Sequence, residues 1–314
     1  MRLILSLCLA AGLLLPDQAG AECGRIRLLN MDPVDWRGGG GGYDVFDATQ
    51  HIQPVEIRVR KTRGGTCRYK IGTSEGSSGL FDPRQLVRRG QRLAYNLYDT
   101  AAQTNIVTDL ALGGTVIEGQ FTDASAGTET NTHTYYWVIP PRQMVAGAHG
   151  RYSDRLRFRL YEEVGGVYVQ RNAQSRRHRT RAPRQVEISL VDTGAPFNAN
   201  DVSQKLDFGI FSEGRMQGFD LRVRGNTGFR VSLQSANQGV MAHDALRSAV
   251  PYTCTVDGVP VDLNRRGAAQ IASFTADATV AEGAVYRIEV TVGSLAGTLG
   301  GRHRDSVTVT LMAR

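Results

Sequence analysis

The chain has no helix written into it. Nowhere do apolar residues recur at a 3.6-residue spacing over a helix-long window, which argues against helical bundles and doubly wound α/β folds. Past the N-terminus, no apolar run approaches the roughly 18 residues that a membrane-crossing helix requires. Histidine is sparse. His51, His133, His149, His178, His243 and His303 are scattered, and none stands at a metal-ligand spacing from a cysteine or another histidine. No G-x-S-x-G turn and no paired-carboxylate motif occurs. The polar stretch 122–134 holds only Asp123 and Glu129 as acids, too few hard oxygen ligands for calcium. Glycines 38–42 are followed by Tyr43-Asp44-Val45-Phe46, not by a helix, so they fail the dinucleotide fingerprint. These absences leave no residue to assign to catalysis, to a metal or to a cofactor. The expectation is a protein that is not an enzyme and carries no cofactor.

What is present points to strands. The 314 residues are enough for about two domains. Apolar residues make up 41% and charged residues 21%, which supports a packed core and not a disordered chain. Glycine is abundant, and Val, Thr and Tyr recur at alternate positions.

The start reads as a secretory signal: Arg2, an apolar run over 3–15, then Ala19-Gly20-Ala21 as the cleavage site, giving a leader of residues 1–21. Cys8 leaves with it. Cys23, Cys67 and Cys254 remain in an oxidising environment. Cys23 and Cys67 both fall in the first half and are expected to pair, a loop closure worth about 4 kcal/mol in the chain-entropy model.

The formal net charge is +7, from 37 basic against 30 acidic residues. Much of the excess lies in SRRHRTRAPR, residues 175–184, with five arginines. It has no interleaved aromatics and no nucleic-acid motif, so no nucleic-acid partner is expected. The stretch reads as an extended, solvated linker, with contact to anionic envelope polymers as a secondary role.

Period-two alternation recurs along the chain: Val55, Ile57, Val59; Cys67, Tyr69, Ile71; Leu93, Tyr95, Leu97; then 135–139 and 167–169. Beyond residue 184 it restarts with Val186, Ile188, Leu190; Leu206, Phe208, Ile210; Phe219, Leu221, Val223; and Phe229, Val231, Leu233. Tyr252, Cys254 and Val256 lead to the hairpin turn Asp257-Gly258, and Tyr286, Ile288 and Val290 follow. The expected fold is all-β: two immunoglobulin-like sandwiches over 22–174 and 185–314, joined by 175–184.

An internal repeat organises the two halves. Ala146-Gly147 to Asp154 leads into Leu156, Phe158, Leu160; Ala296-Gly297 to Asp305 leads into Val307, Val309, Leu311. Leu93-Ala94-Tyr95-Asn96-Leu97 aligns with Val250-Pro251-Tyr252-Thr253-Cys254, which puts Cys254 in the inward place of Leu97. After Leu160 the chain turns at Gly165-Gly166 and continues as a strand; after Leu311 no further strand follows in the sequence. The second sandwich is therefore expected to lack its last strand. Val307, Val309 and Leu311 would face its core while their backbone edge stays open.

Residues 93–102, Ile139-Pro140-Pro141-Arg142-Gln143 and Gly150-Arg151-Tyr152-Ser153-Asp154 resemble the spore coat protein U domain. Leu206-Asp207-Phe208-Gly209 and the strand after Asp305 resemble the same domain in the second half, with His303-Arg304-Asp305 in place of Tyr-Ser-Asp. The resemblance implies a subunit of an archaic chaperone–usher pilus. Such a subunit is an incomplete sandwich completed first by a periplasmic pilus chaperone and then by the N-terminal donor strand of the adjacent pilin subunit, at an outer-membrane usher. With Cys23 second after the cleavage site, no donor extension is expected here, which implies a two-domain tip adhesin at the cell surface. It would attach to a host or abiotic surface and support biofilm formation. Trp36, Tyr43 and Phe46, with the segment 110–121, are the candidate contact loops, and the equal alternative for the three aromatics is that they are ordinary core residues. The second reading is a secreted carbohydrate-binding or coat-like module that is not assembled into a pilus.

Overall fold

The computed structural model describes residues 23–29, 31, 34–36, 42–123, 127–143, 149–274 and 283–314. The expected leader, residues 1–21, and glycines 38–41 lie outside the described residues.

The described chain is all-β, with two short 3-10 turns as its only helical elements. The strands of the first half are β1 Ile26–Leu28, β2 Val34–Trp36, β3 His51–Lys61, β4 Cys67–Thr73, β5 Arg84–Arg88, β6 Gln91–Tyr98, β7 Ile117–Phe121, β8 Glu129–Ile139, β9 Gly150–Val164 and β10 Val167–Ala182. Those of the second half are β11 Val186–Val191, β12 Met216–Gly225, β13 Phe229–Ser235, β14 Val240–His243, β15 Ala249–Val256, β16 Val259–Val261, β17 Ala269–Phe274, β18 Ala284–Val292, β19 His303–Arg304 and β20 Val307–Ala313.

The first half runs in the order β1-β3-β8-β6-β5-β9-β10-β2, with β4 bridging β7 and β9. The second half is built from β11-β12-β18-β15-β14-β19, with β16 against β15, and a separate sheet β17-β13-β20. Each half has its own apolar core. One gathers Tyr95, Tyr135, Trp137, Phe158 and Leu160; the other gathers Leu221, Phe229, Val231, Val250 and Ile288. Alternation explains the membership: the buried positions of β9 are every second residue from Tyr152 to Leu160.

The two hairpins that tie long strands together have the turn chemistry their sequences predict. Gly165 and Gly166 have φ of 58° and 82°, and Asp257 and Gly258 have 50° and 77°. Both central residues are left-handed, the geometry that matches the right-handed twist of flanking strands.

Two sequence expectations are corrected. Residues 175–182 are not a linker; they are the second half of β10, paired residue for residue with β9. The first unit therefore extends to Ala182, and the connection to β11 is residues 183–185. The period of two is present there, since His178, Thr180 and Ala182 point inward and are buried, but the intervening outward arginines mask it. Second, Leu206, Phe208 and Ile210 do not form a strand. Phe208 is buried and Leu206 half-buried, while Ile210 is 91% exposed. Asp207 accepts from the Gly209 amide at 3.0 Å, which bends the chain locally and takes it off a straight ladder.

Candidate functional site: an open strand edge

The two copies of the repeat occupy the same place in their halves, and they differ in what lies beside them. β9 has a neighbour on each side. On one it pairs β4, with Ile71 opposite Leu160 and Thr73 opposite Phe158. On the other it pairs β10, with Asn172 opposite Leu160 and His178 opposite Asp154. β20 pairs β13 alone, with Leu233 opposite Val309 and Val231 opposite Leu311. Among the described residues no strand pairs its other edge.

The missing neighbour leaves its mark on burial. Leu156, Phe158 and Leu160 on β9 are fully buried. Their counterparts are not: Val309 and Leu311 are half-buried, and Val307 is 40% exposed. Val186 and Ile188 on β11 are half-buried as well. Among the described residues β11 pairs no strand but β12, although at its far end the Leu190 amide donates to the Asp201 carbonyl at 2.6 Å. Between these two edges runs an open groove of about 440 Å³ lined by Val186, Glu187, Ile188, Ala199, Val202 and Leu311. Among the described residues the first core has Phe46 and Val55 as partly buried members, whereas the second has a long fringe of them, including Val186, Ile188, Val309 and Leu311. The groove has a mostly apolar lining and an unpaired β20 backbone edge along one wall.

The repeat is held by the same polar contact in both halves. Tyr95 donates to Asp154 and Tyr252 donates to Asp305, each at 2.6 Å. Each carboxylate also takes serine and amide donors. Asp154 accepts from the Ser77 amide at 2.7 Å and hydroxyl at 2.6 Å; Asp305 accepts from the Ser235 hydroxyl at 2.5 Å and the Asn237 amide at 3.0 Å. Burial and the adjacent carboxylate push both tyrosines well above the usual phenol range.

In the first half, β10 contributes His178 to this region. Its ring is fully buried among Tyr95, Tyr135, Trp137 and Phe158. The Tyr135 hydroxyl lies 2.8 Å from its Nε2. Burial pulls the imidazole down to about 3, so it is neutral in the folded protein. The sequence hid this residue inside the arginine-rich stretch; its even spacing with Thr180 and Ala182 was the available signal.

The other expected site residues fall as follows. Cys23 and Cys67 form a disulfide with a Cα–Cα distance of 5.4 Å. Cys254 is buried, and burial pushes its thiol up to about 11. Tyr43 is fully buried; its hydroxyl donates to the Pro140 carbonyl at 2.8 Å and accepts from the Gln143 amide at 2.9 Å. Burial raises it to about 12. Phe46 lies half-buried at the junction of the two halves, with the Arg224 guanidinium 4.7 Å above its ring. An aromatic beside a glycine run fits a loop anchor and a core residue equally well in sequence; the burial of Tyr43 and Val45 favours the core. Trp36 closes β2, which pairs β10 in parallel. In the segment 110–121, residues from Ile117 onward belong to β7, paired to β4, while Leu112 is 62% exposed. Among the described residues no group of three or more metal-ligating side chains occurs.

Residues 39–159 match the family model described as Spore Coat Protein U domain. No curated protein sequence matches the chain. Several solved structures are similar at low identity. A chain of the CsuC-CsuE chaperone–tip adhesion subunit pre-assembly complex of Acinetobacter baumannii is 11% identical, with a TM-score of 0.43 over 90% of this chain and 99% of that one. The CupB6 tip adhesin of Pseudomonas aeruginosa is 10% identical, with a TM-score of 0.33 over 91% and 92%. CfaE, the adhesive subunit of the CFA/I fimbria of enterotoxigenic Escherichia coli, is 10% identical, with a TM-score of 0.30 over 92% and 82%.

Proposed function

From the premise that this chain carries a Spore Coat Protein U domain over residues 39–159, we propose that it is an exported pilus subunit whose second half accepts a strand from another protein. The observation that carries this reading is the contrast between β9, flanked on both sides, and β20, flanked on one. The occupant of the groove is first a periplasmic chaperone and then the donor strand of an adjacent pilin, exchanged at an outer-membrane usher. Donor residues at alternate positions would cover Val309 and Leu311 on one wall and Val186 and Ile188 on the other.

The first half is complete without such help, because β10 already fills the corresponding place. The strand nearest its start, β1, is also committed within the first half. Its neighbour Cys23 is disulfide-bonded to Cys67, its amide bonds Glu162, and β1 pairs β3. A self-sufficient first half followed by an acceptor second half suits a tip adhesin, with the first half mediating attachment and biofilm formation.

Co-expression with the chaperone of a chaperone–usher system tests the reading. The chain is expected to co-purify with it, and Val309→Asp with Leu311→Asp is expected to abolish that association. A stable, fully folded monomer that ignores both chaperone and donor peptide would overturn it.

A further inference from the structure

Outside the groove, the most unusual feature is the outward face of the β9–β10 ribbon. The register sets Arg151 opposite Arg181 and Arg155 opposite Arg177, with Arg157 opposite Ser175. These five arginines are all exposed, and none forms an ion pair among the described residues. Next along β9, Arg159 pairs with Asp109. Like charges directly opposite each other across two strands oppose the pairing they sit on. Two such pairs flank the Ser153–Arg179 row, where β2 sets Asp35 opposite Arg179, and neither pair has an acid opposite it within the ribbon.

We infer that this face binds a linear acidic polysaccharide, laid along the ribbon. The geometry suits a chain of regularly spaced carboxylates. Successive outward residues on a strand stand about 6.6–6.8 Å apart, and neighbouring strands about 4.8 Å apart, so the guanidinium groups form a two-rail array. Guanidinium forks bind carboxylates bidentately and keep their charge at every accessible pH. An anionic chain between the rails also relieves the Arg151–Arg181 and Arg155–Arg177 repulsion. The outward positions from 151 to 159 on β9 and from 173 to 181 on β10 are arginine, serine and alanine, with no aromatic among them. That composition offers no platform for stacking bases, which favours a saccharide over single-stranded nucleic acid. The face lies in the first half and its charge is independent of the β20 groove, so either reading can fail without the other.

The test uses the full chain, prepared with its chaperone or with a donor peptide, and measures binding to polygalacturonate, to neutral dextran and to a DNA duplex. Polygalacturonate is expected to bind, to weaken as salt rises, and to lose about tenfold or more in affinity in Arg155→Gln/Arg157→Gln/Arg177→Gln. Arg155→Lys/Arg157→Lys/Arg177→Lys keeps the charge but not the fork and is expected to fall between. The melting temperature of the glutamine variant should match or exceed that of the parent, since repulsion is removed; this separates lost binding from lost folding. Equal binding of polygalacturonate and dextran, an unaffected glutamine variant, or tighter binding to the DNA duplex than to polygalacturonate would each overturn the assignment.

Discussion

Tyr252 donates its hydroxyl proton to Asp305 across 2.6 Å, and Tyr95 does the same to Asp154 across the same distance. The two pairs sit at equivalent points of the repeat but in different surroundings. Asp154 is 2% exposed beneath a completed sheet, while Asp305 is half-buried at the base of an open edge. Tyr95→Phe leaves the buried Asp154 Oδ2 without its donor and is expected to cost about 2–3 kcal/mol. Tyr252→Phe leaves a carboxylate that water can reach and should cost about 1 kcal/mol. Chemical denaturation of the two variants compares them directly; equal losses would show that the two halves are closed to the same extent.

The disulfide makes a separate demand on the first half. Cys23 anchors the entry to β1, and Cys67 begins β4. Replacing both with serine is expected to destabilise the first half by about 4 kcal/mol. The core around Val231 and Ile288 contains no cystine and should keep its own unfolding transition. Calorimetry with and without reductant resolves the two.

Acid sensitivity should map to His178. Burial holds its folded value at about 3, below the ordinary 6.5. As pH falls, the unfolded chain therefore takes up the proton first. The contribution is intact above about 6.5, erodes below it and is exhausted near 3. By pH 4.5 the loss is about 3 kcal/mol. His178→Asn lowers stability at pH 7 but should flatten the dependence between pH 6.5 and 4.5. An unchanged slope would mean that other groups dominate.

Leu311 and Val309 are the side chains that a donor strand would cover. In the free chain both are half-buried, so trimming either to alanine should cost less than trimming Phe158 or Leu160, which are fully buried on β9. About 1 kcal/mol against about 3 kcal/mol is expected by denaturation. Once the groove is filled, the gap between the two sites should narrow.

Much of this was legible in the residues. Alternation located β3, β12, β13 and β18, and the Asp257-Gly258 and Gly165-Gly166 turns were read correctly. The repeat set the strand after Asp154 beside the strand after Asp305, and these are β9 and β20. What escaped had physical reasons. Arginines on the outward side of β10 hid an inward row of His178, Thr180 and Ala182, because a strand can carry charge on one face at no cost to its buried one. Leu206 and Phe208 had strand spacing without a ladder to join, since pairing depends on where neighbours lie and not on local pattern. Tyr43 was open between loop and core because the depth of a residue after a glycine run is set by the chain that folds over it.

Hydrogen exchange at the β20 backbone tests the central claim most directly. In the free chain, the amides of Val307–Ala313 that point away from β13 should exchange rapidly, while those bonded to β13 are slow. Binding of a chaperone or donor peptide should protect the fast set and leave β9, already flanked by β4 and β10, unchanged. Full protection of β20 in the free chain, or no added protection in the complex, would contradict the account.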